Sequence, residues 1–371
     1  LQTINKGSAR FMKKIIIFLT FISFLSAKEI NVTFISPSLK GNLFWDRVIE
    51  SMKITAKNLE INLKIIEPTI NRQTEVEKLA IENMNSKEKP NYIIFPYFDN
   101  SGKKILETAE KNKIYSFIIN TDIPDKEKSL VKTPGKIYKY WIGHLFPDDV
   151  SAGYTLSSYL LKKAKEVKKG NSINIVALSG AHISNVSLDR NKGLLKSVGE
   201  NKTNNLLQIF YAMWEYDNAQ YTIEKVFNRY NNIDVIWAAS DTMALGAIEA
   251  IKKKKLIPGK NIIVGGMDWG NEGLMSIKNG ELAASMGGHF LEGSSALILI
   301  KDHSKGFDIG KFPIKTTLYL INKDNIDKYE KIISLDEFKK IDFKELSKFY
   351  NKNRDKYEYD LIKYLLFRVK R

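Results

Sequence analysis

The chain has 371 residues, 43% of them hydrophobic and 27% charged, with no cysteine and a formal charge of +16. That length supports a sizeable core in two domains or one large α/β unit, and the composition disfavours wholesale disorder, collagen and multi-span membrane architecture. The missing cysteines remove disulfides, thiolate catalysis, iron–sulfur clusters and cysteine zinc sites.

Lys and Arg alternate with acids along nearly every helical segment, and the longest basic run is Lys252 to Lys255. A solvated helix end accounts for that run, so no nucleic-acid partner is expected.

Met12-Lys13-Lys14, the mostly apolar run Ile15 to Leu25 and then Ser26-Ala27-Lys28 fit a secretory signal. As a helix the run reaches only about 16 Å, well short of a bilayer core roughly 30 Å thick. The expectation is export with cleavage near Ala27, although Leu25 stands where a small residue is usual. Leu1 to Phe11 are expected to precede the true start. Cleavage removes Lys6, Arg10, Lys13 and Lys14 and no acids, which leaves a mature charge of +12.

From Glu29 onward short β-rich runs alternate with amphipathic ones. The strands predicted first are Ile30 to Ser36, Ile61 to Glu67, Tyr92 to Pro96 and Ile114 to Asn120. Helices are predicted between them at Phe44 to Leu59, Thr74 to Met84 and Lys103 to Lys111, with apolar residues spaced by three and four. Beyond the Trp141 to Pro147 stretch a second series follows. Its strands are Ile173 to Ser179, Leu206 to Tyr211, Val235 to Ala239, Ile262 to Met267 and Ala283 to Met286, again with helices between them. The fold class is α/β: two doubly wound parallel-sheet lobes with helices on both faces.

Ligands of such sheets sit beyond the carboxyl ends of the strands. The candidate loops are therefore 37–45, 96–100, 120–122, 180–190, 211–216, 240–241 and 268–269. They hold Asn42, Phe44 and Trp45, then Asn120 and Asp122, then Arg190, and further on Trp214, Tyr216, Ser240, Asp241, Asp268 and Trp269. Flat aromatic faces beside polar forks suit a sugar, whose C–H face stacks while its hydroxyls each need donors and acceptors. Each residue also has a structural reading. Phe44 and Trp45 fit a helix face, Asp241 a helix cap, and Asp122 the Thr-Asp-Ile-Pro turn.

Five strings in order carry a resemblance: Gly41-Asn42-Leu43-Phe44-Trp45, Phe117 to Asp122, Asp189-Arg190-Asn191-Lys192-Gly193, Ala239 to Ala247, and Val264-Gly265-Gly266-Met267-Asp268. Over roughly residues 29 to 330 the chain resembles the type I periplasmic binding proteins of the ribose and galactose class. The resemblance implies two lobes joined by a three-strand hinge, with crossings near His144 to Pro147, Gly287 to His289 and Tyr319 to Asn322. The first lobe would comprise 28–144 and 289–319, and the second 145–288 and 320–332, preceded by the 1–27 pre-sequence and signal and followed by a helical extension, 333–371.

The resemblance also implies roles. Asn42 and Phe44 would hydrogen-bond and stack, Trp45 would close the other side, and Asn120 would hold a hydroxyl. Arg190 would be the second lobe's guanidinium, Asp268 a carboxylate taking two hydroxyls, and Trp214 or Tyr216 a stacking face. Ser240 stands at a polar position. Thr121 departs from the Arg common in sugar binders, and His289 replaces the usual hinge glutamine, as a ligand contact or as a hinge residue.

The function so implied is capture of a small sugar or polyol by a monomer that presents it to an ABC permease. The alternative is docking on a membrane sensor kinase or chemoreceptor. Phosphate-loop, dinucleotide, nucleophile-elbow and zinc-protease motifs are absent from the sequence, so no enzyme, cofactor or metal site is expected. With an apolar segment at the start of this sequence, no DNA-binding head is expected. In the tail, Leu335, Phe338, Ile341, Phe343, Leu346 and Phe349 are expected to pack as helical turns against a lobe rather than form a docking arm.

Overall fold

The computed structural model describes residues 29–70, 73–168 and 172–368. The predicted signal segment, 1–27, and the last three residues of the tail lie outside the described residues.

The first lobe opens with β1 (Asn31–Ile35), α1 (Leu43–Asn58), β2 (Asn62–Ile66), α2 (Gln73–Asn85), β3 (Tyr92–Phe95), α3 (Gly102–Asn112), β4 (Tyr115–Ile119), α4 (Asp125–Val131) and β5 (Trp141–Pro147). The second runs through α5 (Asp149–Val167), β6 (Ile173–Ser179), α6 (Asn185–Gly199), β7 (Asn204–Tyr211), α7 (Tyr216–Arg229), β8 (Val235–Ala238), α8 (Asp241–Lys253), β9 (Ile263–Met267), α9 (Asn271–Lys278) and β10 (Ala284–Gly287). Next come a 3-10 turn (His289–Leu291), α10 (Glu292–Ser304), β11 (Pro313–Thr316), β12 (Tyr319–Asn322) and α11 (Ile326–Ile333). The tail adds α12 (Leu335–Phe338), a second 3-10 turn (Phe343–Leu346) and α13 (Leu361–Arg368).

Each lobe is a six-stranded sheet, ordered β2-β1-β3-β4-β5-β11 in the first and β7-β6-β8-β9-β10-β12 in the second. Central strands such as β3 and β8 are buried along their whole length, because helices cover both faces. The first sheet is parallel throughout, and β12 alone among the second sheet's strands runs antiparallel, beside β10.

Two boundaries differ from the sequence reading. Trp141 to Pro147 is a buried strand of the first sheet rather than a stretch that turns away at His144, so the chain stays in the first lobe three residues longer than expected. Tyr319, assigned to the first lobe, instead opens β12 of the second sheet.

The tail packs on the first lobe in short pieces rather than as continuous helix. Phe338, Ile341, Phe343 and Leu346 are buried and Phe349 is half-buried; Leu335's side chain lies outside the described residues.

Candidate functional site

The parallel strands of both sheets end at one interface, and a cavity of about 410 Å³ lies there. The first lobe contributes Asn42, Phe44, Trp45 and Asn120 to its wall; the second contributes Arg190, Trp214, Ser240 and Asp268; His289 enters from the hinge. Among the other lining residues is Gln73, the first residue of α2, which follows β2 and lies outside the candidate loops.

Helix caps and cleft residues coincide. Asn42 Oδ1 accepts from Trp45 N at 3.0 Å, Ser184 Oγ from Ser187 N at 3.4 Å and Ser240 Oγ from Met243 N at 3.2 Å. Each lines the cleft at a helix N-terminus, so one side chain both caps its helix and faces the cavity. Asn42 keeps its amide NH₂ as a donor, and each serine keeps its hydroxyl proton.

Phe44 is likewise both core and wall. It is buried, stacks on the His289 ring at 4.5 Å and meets Trp45 edge-on at 5.1 Å. Opposite, Trp214 follows β7 and packs where Gly180 has no side chain: a Cβ there would lie 2.0 Å from the indole. Arg190 stands 5.9 Å from the same indole.

The polar centre is Arg190, 3% exposed. Its Nε donates to Asp149 Oδ1 at 2.7 Å, Nη1 donates to Ala239 O at 2.6 Å, and Nη2 lies 3.4 Å from His289 Nε2. Asp268 Oδ1 is 3.7 Å from Nη1 and 3.5 Å from His289 Nε2. Close helix packing sets this position, since a Cβ on Gly153 of α5 would fall 2.0 Å from the Arg190 carbonyl.

Burial opposes the guanidinium charge, but Asp149 and Asp268 outweigh it and hold Arg190 above its ordinary pKa. Burial also pushes Asp149 up to about 6 despite its partner. The same desolvation lowers His289, keeping its imidazole neutral at pH 7.

Three cleft loops use left-handed backbone: Asn120 (φ 69°), Met213 and Trp214 (56° and 67°), and Asp268 and Trp269 (118° and 60°). Such conformations cost of order 1–3 kcal/mol each in non-glycine residues and cluster at functional sites. Glu292 supports the first, accepting from Asn120 N at 2.8 Å through Oε2 while Oε1 engages Thr316 Oγ1.

Several expectations are corrected. Asp122 does not line the cavity: its Oδ1 accepts from Ile123 N at 2.8 Å and its Oδ2 pairs with Lys128 at 3.0 Å, while its carbonyl accepts from Asn185 Nδ2 across the lobes at 3.3 Å. Tyr216 opens α7 outside the cavity and is exposed. Trp269 turns away from the cleft into the core, where its Nε1 donates to Ser285 O at 3.1 Å. Asp241 binds Gly270 N and Ser285 Oγ behind the wall, and the cap of α8 is Ser240 instead. Asp149 and Glu292 were missed because neither touches the cavity.

A family model described as periplasmic binding protein domain matches residues 32–306. The chain belongs to the periplasmic binding protein family.

Among curated relatives of this binding protein, the galactofuranose-binding protein YtfQ of Escherichia coli is 24% identical over 63% of this chain and 70% of its own length. A xylitol-binding protein of Mycolicibacterium smegmatis is 27% identical over 50% of this chain and 51% of its own. The matched region therefore spans from about half to 70% of the length of these two relatives. A solved periplasmic sugar-binding protein from Pseudomonas fluorescens superposes with a TM-score of 0.81 at 24% identity, covering 91% of this chain and 99% of that one. A solved galactofuranose binding protein gives 0.70 at 21% identity, over 80% and 96%. These likenesses show the type I fold.

Proposed function

We propose that the protein is exported to the periplasm, closes around one uncharged sugar or sugar-like polyol, and presents it to the permease of an ABC transporter. The observation that carries this reading is the interlobe cavity with Phe44 and Trp45 on one wall and the buried Arg190–Asp268 pair on the other. A sugar's C–H face stacks on the aromatics, and its hydroxyls share the donors of Asn42, Arg190 and Ser240 and the acceptors of Asp268 and Asn120.

Charge narrows the ligand class. Arg190 is already engaged by Asp149, and the carboxylate of Asp268 stands beside it on the wall. A phosphate or sugar acid would meet these without a matching cation, so a neutral polyol fits best. Relatives named for galactofuranose, xylitol and ribose binding support the same class.

The mechanism is differential binding. A ligand touching both walls stabilises the closed arrangement by contacts the open one lacks, and the closed form is what the permease reads. The protein acts as a monomer and releases its guest unaltered.

A thermal-shift panel tests the class, since a ligand of the folded state raises Tm. D-Galactose, D-ribose, D-allose, L-arabinose, xylitol and myo-inositol are set against D-ribose 5-phosphate and D-galacturonate. A neutral hit supports the reading; stabilisation by the anions alone overturns it.

A further inference from the structure

We propose that Asp360, Leu361 and Ile362 of the tail form a clasp on the hinge, holding the lobes in the arrangement in which they meet over the cleft. The chain passes between lobes after β5, after β10 and between β11 and β12. The clasp touches two of these crossings. Tyr319, the first residue of β12, donates its hydroxyl to Asp360 Oδ2, and Ile362 Cγ1 lies 3.0 Å from where a Cβ on Gly288 would stand. Gly288 has φ 112°, so the second crossing is a left-handed turn roofed by a tail side chain. Trp269 and Tyr319 close the same spot, each 3.7 Å from that point.

The clasp is fastened rather than loose. Leu361, Ile362 and Leu365 are buried. Upstream, the fully buried Asp302 of α10 accepts from Lys348 N at 2.7 Å, Phe349 N at 3.1 Å, Tyr357 OH at 2.9 Å and Ser347 Oγ. Ser295 Oγ bonds Tyr359 O, one residue before the clasp, and Lys344 pairs with Glu60 of the first lobe. At its other end the segment leaves the second lobe through α11, where Lys278 of α9 meets Glu330 at 2.6 Å. Arg47 of α1 then donates to Ile333 O at 2.9 Å. Along its length the tail thus ties second lobe, first lobe and then hinge.

These contacts exist together with the bridge over the cleft mouth, Asn185 Nδ2 to Asp122 O. Rotation that parts the mouth must move Gly288 and Tyr319 against a fixed Asp360–Ile362, so the clasp biases the hinge toward the meeting arrangement.

The test needs no ligand and so stands apart from the assignment of the cleft. The chain has no cysteine, so Lys126→Cys and Lys192→Cys, exposed residues of α4 and α6, accept a pair of spin labels. Pulsed electron resonance then compares the interlobe distance distribution in the labelled parent, in Tyr319→Phe, which only removes the hydroxyl, and in the Tyr319→Phe/Ile362→Ala double variant. The clasp predicts a broader distribution extending to longer distances, greatest in the double variant. An unchanged or narrower distribution in a variant with native circular dichroism overturns it, and Tyr319→Phe keeps the test decisive should the double variant not fold.

Discussion

Arg190 and Asp149 meet at 2.7 Å with both side chains almost wholly out of solvent, and this pair, rather than any residue of the cavity wall alone, fixes the guanidinium of the cleft. Removing Arg190 leaves a buried carboxylate without its cation, a defect worth about 3–5 kcal/mol. Arg190→Ala is therefore expected to lower Tm by roughly 6–15 °C. Asp149→Asn, which keeps an acceptor for Nε, is expected to cost far less. Differential scanning calorimetry of the two variants decides, and an Arg190→Ala protein as stable as the parent would contradict the pairing.

Gly180 is the seat of Trp214. A methyl group there would lie 2.0 Å from the indole, so Gly180→Ala must displace the ring from the wall. Weakened sugar binding with a shifted tryptophan emission spectrum is expected, at a stability cost of about 1–3 kcal/mol for overpacking. Unchanged emission and affinity would show that the ring does not depend on this gap.

Asp302 gathers four tail donors in a site closed to water. Asp302→Ala orphans them at about 1 kcal/mol net or more apiece. The expected result is a lower Tm and rapid tryptic cleavage at Lys348 and Lys352, read by mass spectrometry. Persistence of the intact tail would contradict its anchoring.

Glu292 gives the stability a pH dependence of definite sign. Burial raises its pKa to about 8 in the folded protein. The folded state therefore holds a proton that the unfolded chain has already released, and stability falls as pH rises from about 5 through about 8. Asp149 acts in the same sense near pH 6. Glu292→Gln cannot ionise, so its Tm should decline less than that of the parent between about pH 5 and pH 9. Parallel curves would contradict this assignment.

Most of the architecture was legible because βα alternation is written in period and composition. Runs such as Tyr92 to Phe95 and Val235 to Ala238 are apolar throughout, and their helices carry apolar stripes. The strand-end rule likewise brought Asn42, Phe44, Asn120, Arg190 and Asp268 to one cavity. It failed where a residue's own loop outcompeted the cleft, as at Asp122, claimed by Ile123 N and Lys128. It could not reach Asp149 or Glu292, which act from helix starts behind the wall on partners far off in sequence. The hinge grip of Asp360 and Ile362 was equally hidden, because it depends on where an irregular segment of tail comes to rest.

Asp268 is the residue on which the proposed grip of the cleft on an uncharged polyol depends. Isothermal titration calorimetry of the parent and of Asp268→Ala with the same panel of neutral sugars tests this most directly. The account predicts saturable heat for at least one sugar, with affinity falling by about 30-fold or more in the variant, as loss of charged hydrogen bonds worth about 2 kcal/mol or more requires. No binding by any panel member, or a hit whose affinity is unchanged in a folded Asp268→Ala, would contradict it.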